Sequence, residues 1–205
     1  LLTRQPSGAR MRGRSDPAAA LLSGVQNADA PPRMNVFLVG PMGSGKSAVG
    51  RQLAQRLELE FIDSDAEIEA RTGVDIAYIF EREGEAGFRS REAEVIDAIS
   101  RRDRVLVSTG GGAVLDAGTR ERLRTRGRVV YLRTSVDQQL ARTRRSNDRP
   151  LLNNDDPRGT LERLFEQRAP LYTEVAEIVV DTDGRKVKAV VDQICHQLGV
   201  DGVEP

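Results

Sequence analysis

Gly40-Pro41-Met42-Gly43-Ser44-Gly45-Lys46-Ser47 fits the pattern G-x-x-x-x-G-K-[ST] at every defined position. The stretch before it, NVFLV at 35–39, is a short continuous apolar run of the kind a buried strand uses. The stretch after it carries Val49, Leu53 and Leu57 at i, i+4 and i+8, the stripe of an amphipathic helix over 47–57. Strand, glycine loop and helix in that order make a phosphate cradle. The glycines let successive backbone N–H groups turn inward, and the helix N-terminus adds partial positive charge. Gly43, Ser44, Gly45 and Ala48 would line the cradle, Lys46 would reach the β- and γ-phosphates, and the Ser47 hydroxyl would ligate Mg²⁺. The expected ligand is a nucleoside triphosphate.

Working outward, apolar runs recur at 60–63, 104–107, 128–132 and 175–180, mostly continuous rather than alternating. Helical patterns separate them at 85–100 (Phe88, Val95, Ile96, Ile99), 157–172 (Leu161, Leu164, Phe165) and 186–198. Five strand-like runs joined by helical crossovers predict an α/β fold, a parallel sheet with helices on both sides. The segment TRRSNDRPLLNNDD, at about 143–156, interrupts this rhythm and reads as a loop or lid.

The whole chain has 205 residues, with 31 basic and 31 acidic side chains in balance, 39% hydrophobic and 30% charged. That length suits one domain with a tail, and the balance supplies a core. Zero formal charge argues against a nucleic-acid coat or a polybasic membrane anchor. The single cysteine, Cys195, excludes an internal disulfide framework and suits a reducing compartment. No apolar run approaches the roughly 20 residues of a membrane span. The expectation is a cytoplasmic protein. Residues 1–33 are rich in Ala, Ser, Gly, Pro and Arg without periodicity and predict a tail, with Met34 as the expected translation start. Residues 34–199 form the expected domain, and 200–205 a short C-terminal tail. Cys195 and His196 read as ordinary residues of the last helix.

Two further stretches bear on chemistry. Phe61-Ile62-Asp63-Ser64-Asp65 puts two carboxylates at the C-terminal end of the second run, the edge of an open parallel sheet where ligands bind. One carboxylate there suits Mg²⁺ through water and the other a hydroxyl nucleophile, while Ser64 or Asp65 would equally suit a helix N-cap. Ser108-Thr109-Gly110-Gly111-Gly112-Ala113 follows the third run. Its glycines suit either an anion or a plain strand-to-helix turn. No Asp ends that strand, so Ser108 or Asp63 would have to serve the cation.

In this order and spacing, GPMGSGKS, FIDSD, Phe88-Arg89-Ser90-Arg91-Glu92, STGGGAV, Arg149-Pro150-Leu151-Leu152 and Arg168-x-x-x-Tyr172 together resemble the shikimate kinase family over about residues 35–198. The resemblance implies a three-layer α-β-α P-loop fold with sheet order 2-3-1-4-5 and a mobile lid. It also implies Mg²⁺-dependent transfer of the ATP γ-phosphoryl to the 3-hydroxyl of shikimate, in aromatic amino-acid biosynthesis. By it, Arg89 and Arg168 clamp the acceptor carboxylate, helped by the Gly111 backbone N–H, with Gly110 and Gly112 also at the acceptor and Glu92 holding Arg89. Asp65 orients the hydroxyl, Asp63 serves the cation, Arg149 closes onto the phosphates, and Arg142 and Arg185 line adenine. The family often has a Pro after the last strand, where this chain reads Gly184-Arg185-Lys186-Val187. The implied partner is the small molecule shikimate, with neither nucleic acid nor membrane, and the implied state is a monomer. The rival readings are another small-molecule P-loop kinase, such as a gluconate kinase, and a regulatory module that uses ATP only as a switch.

Overall fold

A computed structural model describes residues 34–143 and 155–200. The first tail, the last five residues and the centre of the expected lid, including Arg149, lie outside the described residues.

The run after Met34 forms β1 (Val36–Val39), all four residues buried. Phe37 and Val39 face one layer of helices while Val36 and Leu38 face the other, so a continuous apolar strand is what burial on both faces requires. The chain then runs through α1 (Lys46–Arg56), β2 (Glu60–Asp63), α2 (Ser64–Thr72), α3 (Ile76–Ser100) and β3 (Val105–Ser108). A single 3₁₀ turn (Ala113–Leu115) precedes α4 (Ala117–Arg126) and β4 (Arg128–Arg133). The remainder is α5 (Val136–Thr143), α6 (Pro157–Val175), β5 (Ile178–Asp181) and α7 (Val187–Leu198). The strands form one parallel sheet in the order β2-β3-β1-β4-β5. The order reverses around β1, so its loop opens into the crevice at the C-terminal edge.

Helices α1 and α7 pack on one face against Leu38, Leu106, Val130 and Val180. On the other face Phe88, Ile96 and Ile99 of α3, Leu123 of α4 and Tyr172 of α6 cover Phe37, Val107 and Tyr131. The last strand is shorter than its apolar run. Val175 closes α6 and is buried there as a helix residue, and β5 begins only at Ile178. Helix α3 starts a third of its length before its apolar stripe and bends at Gly84, whose φ of 69° and ψ of −176° are not helical. Arg91 spans the bend with two hydrogen bonds to Glu83, at 2.8 and 2.7 Å.

Candidate active site

The loop after β1 turns back through Gly43 and Gly45, with φ of 76° and 92°, values that carry no penalty only for glycine. Gly45 is the N-cap of α1, which brings Lys46 and Ser47 into its first turn. Lys46 Nζ donates to the carbonyl oxygens of Gly40 (2.7 Å) and Pro41 (2.9 Å), so the ammonium lies over the loop. Ser44 faces inward at 1% exposure, whereas Gly43, Gly45, Lys46, Ser47 and Ala48 line a cavity of about 290 Å³.

The opposite wall of that cavity comes from the ends of β2 and β3: Asp63, Asp65 and residues 108–111. Asp63 and Ser108 are register partners at the sheet edge. The Ser47 hydroxyl donates to Asp63 Oδ2 at 2.8 Å. The other oxygen of Asp63 accepts from the Asp65 N–H at 3.2 Å and caps α2. The N-cap is therefore Asp63, neither Ser64 nor Asp65, and the same carboxylate serves both the cap and the P-loop serine. Ser64 is wholly buried, and its hydroxyl accepts from the Gly110 N–H at 2.9 Å, pinning the glycine turn to α2.

That turn is where the expected acceptor-site residues converge. A Cβ on Gly110 would come within 2.3 Å of Glu92 Oε1 and 2.8 Å of Asp65 Oδ1, and one on Gly112 within 2.2 Å of Arg89 Nη2. A larger residue at either position would displace those carboxylates or that guanidinium. A Cβ added to Gly111 would stand 3.6 Å from the Met42 nitrogen and the Gly40 oxygen, so the turn also abuts the P-loop. The Tyr172 hydroxyl donates to the Gly111 carbonyl. Arg89 Nη1 donates to Glu92 Oε2 at 2.6 Å, and Glu85 accepts from the same guanidinium. Arg168 is 5% exposed, with its charge beside Glu92 and the Tyr172 hydroxyl. Its Nε makes no hydrogen bond among the described residues.

Electrostatics follow from this crowding. Burial raises the Glu92 carboxyl above the ordinary carboxylate range; Arg89 opposes the rise, the Asp65 charge adds to it, and Arg168 opposes it. Burial disfavours the Arg89 charge, but the carboxylates of Glu92 and Glu85 outweigh it and raise its pKa. Burial also raises the Tyr172 phenol above the range of an exposed tyrosine, with Arg168 opposing, so its hydroxyl stays a donor.

The two expected adenine arginines part company. Arg142 lines the cavity and donates to the Gly43 carbonyl (2.8 Å) and the Thr182 carbonyl (3.1 Å). Arg185 instead folds onto α7, bonded to Gln193 and to the Ala189 carbonyl. Asp183 escaped the sequence reading: it accepts from the Thr134 hydroxyl and the Ser135 N–H, binding the loop after β4 to the loop after β5 beside Arg142. A carboxylate after an apolar strand was the available signal, but its partners lie far away in sequence. Ser64, expected at most as an N-cap, escaped as the anchor of the glycine turn for the same reason.

The family model described as shikimate kinase matches residues 42–199. This chain belongs to the shikimate kinase family. It is 55% identical to the shikimate kinase of Shewanella amazonensis over 82% of this chain and 98% of that protein. The Shewanella oneidensis shikimate kinase is 56% identical over the same shares. Among solved structures, the Acinetobacter baumannii shikimate kinase in complex with shikimate superposes with a TM-score of 0.81 at 44% identity, covering 85% of this chain and 97% of that one. A gluconokinase from Sinorhizobium meliloti, at 19% identity and a TM-score of 0.52, shares the fold alone. Family membership also accounts for the P-loop kinase fold and the observed strand order. No helix among the described residues is long and apolar enough to cross a membrane.

Proposed function

We propose that this chain phosphorylates shikimate, moving the γ-phosphoryl group of ATP to the 3-hydroxyl and releasing ADP and shikimate 3-phosphate. One observation carries the proposal beyond family membership. The turn 110–112 meets Asp65, Glu92, Arg89, Tyr172 and the P-loop, so a phosphate site and an acid-binding site share one wall.

The P-loop backbone and Lys46 hold the β- and γ-phosphates, and Arg142 borders the nucleotide at the Gly43 end. Arg89 and Arg168 take the acceptor carboxylate. A planar guanidinium fork suits a carboxylate better than an ammonium does, and Glu92 fixes the Arg89 fork. Asp65, on the cavity wall between the two ends, accepts a hydrogen bond from the hydroxyl that attacks phosphorus and receives its proton as the new P–O bond forms. With both reactants held, the attacking oxygen stands in line with the bond to the leaving ADP oxygen, and positioning supplies most of the acceleration. Arg149, outside the described residues, is the family's candidate for closing over the phosphates.

Mg²⁺ suits the Ser47–Asp63 pair, an all-oxygen donor set 2.8 Å apart. No group of three or more His, Cys, Asp or Glu gathers among the described residues, so such a cation would take most ligands from phosphate and water. When bound it would supply charge neutralisation on the phosphate oxygens. A cytoplasmic monomer acting on small molecules completes the reading, supported by the balanced charge and the single buried cysteine.

An ADP-release assay with shikimate or gluconate, each with Mg²⁺ and with chelator, tests the proposal. Shikimate- and Mg²⁺-dependent turnover is expected. Turnover of gluconate alone, or ATP binding with no acceptor-stimulated turnover, would overturn it.

A further inference from the structure

Tyr172 is 1% exposed and lies one helical turn beyond Arg168 on α6, on the same face. Its hydroxyl donates to the Gly111 carbonyl, and the Arg168 charge lies beside its oxygen. A peptide unit is planar, so the Gly111 carbonyl and the Gly112 N–H point in opposite directions. Holding the carbonyl toward α6 therefore turns the Gly112 N–H the other way. The neighbouring carbonyls are held within the turn, Gly110 accepting from the Ala113 N–H (3.2 Å) and Gly112 from the Leu115 N–H (2.9 Å), whereas the Gly111 carbonyl is held from α6. The Tyr172 ring is itself held against Tyr131, with centroids 5.0 Å apart and 31° between the planes.

We propose that Tyr172 is a positioning residue for the acid end of the acceptor site: its hydroxyl locks the Gly111–Gly112 peptide and Arg168 into one arrangement before the acceptor arrives. The inference rests on the reading that this site takes a hydroxylated carboxylate. It ties the donor of one carboxylate contact, on α6, to the backbone that supplies another.

Tyr131 provides the control. Its hydroxyl is also buried, on the neighbouring ring, and has no hydrogen-bond partner among the described residues. Removing that hydroxyl deletes the same atom without breaking a bond. The experiment compares Tyr172→Phe, Tyr131→Phe and the unaltered full-length chain in ADP release, with shikimate, its carboxamide analogue and ATP each varied, alongside thermal midpoints. Tyr172→Phe should raise the shikimate KM about 3- to 10-fold, the worth of one hydrogen bond. Its ATP KM and kcat should stay within about two-fold. The preference for shikimate over the carboxamide should shrink in Tyr172→Phe and persist in Tyr131→Phe. Equal rises in both KM values, a lowered midpoint with an unchanged shikimate KM, or the same loss in Tyr131→Phe would show a merely structural hydroxyl and overturn the inference. Failure of the unaltered chain to turn over shikimate would overturn the functional reading beneath it.

Discussion

The Ser47 hydroxyl donates a 2.8 Å hydrogen bond to Asp63 Oδ2, joining the first turn of α1 to the tip of β2. That bond sets a P-loop hydroxyl beside a carboxylate that also caps α2. Asp63→Asn keeps the shape and remains a good N-cap, so the thermal midpoint should barely move. The charge that favours a divalent cation is lost, and kcat/KM for Mg·ATP should fall roughly 10- to 100-fold. Titration of Mg·ADP binding checks this; unchanged affinity would remove Asp63 from the cation site.

Asp65 and Arg89 lie against different glycines of one turn, Gly110 and Gly112, and should fail differently. Asp65→Asn should lower kcat by roughly 10²–10⁴, the range for a positioned base. Arg89→Ala should raise the shikimate KM about 10- to 100-fold through loss of charged hydrogen bonds, with ATP affinity nearly unchanged. Initial rates with each substrate varied separate the two; equal losses toward both substrates in Arg89→Ala would contradict the clamp.

Glu92 gives a pH signature. Its carboxyl is raised above the ordinary 4.5, so between that value and its folded pKa the native state binds more protons than the unfolded one. Its contribution to stability is complete below 4.5 and is lost as pH rises through the folded value. Glu92→Gln has no such proton to lose. Measured from pH 4 to 8, the midpoint of the variant should gain on that of the unaltered chain as pH rises. A difference that is flat, or that falls with pH, would show Glu92 held ionised by Arg89.

Asp183 has the opposite sign. Burial works against its charge, but hydrogen bonds from Ser135 and Thr134 outweigh it and hold the carboxyl below the ordinary 3.8. Its contribution is present above that value and is lost as pH falls through the folded one. Asp183→Asn should therefore cost stability at neutral pH and less in acid. Because Asp183 ties together the two loops that flank Arg142, the ATP KM should rise about 3- to 10-fold and the shikimate KM should hold. A rise in the shikimate KM alone would contradict this division of the cavity.

The legible part of the molecule is the part whose burial is apolar. Strand β1 is buried on both faces and its run shows it; α1, the second half of α3 and α7 bury apolar stripes that periodicity finds, whereas α6 buries Leu161 with Arg168, Tyr172 and Val175 and leaves the expected Leu164 and Phe165 half-buried. Helices α4 and α5 escaped and α2 was marked only by a candidate cap, because their buried residues are few or polar: Ser64 and Ile68; Thr119 and Leu123; Gln139 and Thr143. Their signal lay in caps, since Asp63 and Asp116 accept from backbone N–H groups at helix starts, as Asp75 does where α3 begins ahead of its stripe.

The site divides in the same way. The P-loop is contiguous, so its chemistry reads directly from eight residues. The acceptor end is assembled from α2, α3, α6 and the glycine turn, and no spacing relates them; only the family resemblance brought Arg89 and Arg168 together. Direction is harder still. The family resemblance sets Arg142 and Arg185 side by side as adenine residues, and no sequence pattern tells that Arg185 bonds to the Ala189 carbonyl and Gln193 of α7 while Arg142 reaches across to Gly43.

The most direct test of a single hollow for both substrates is a crystal structure of this chain with shikimate and ADP. The acceptor carboxylate should lie between Arg89 and Arg168, its 3-hydroxyl beside Asp65 and facing the phosphate end of the P-loop. Shikimate bound away from the turn at 110–112, with the side chains of residues 65, 89 and 168 contacting no common ligand, would contradict it.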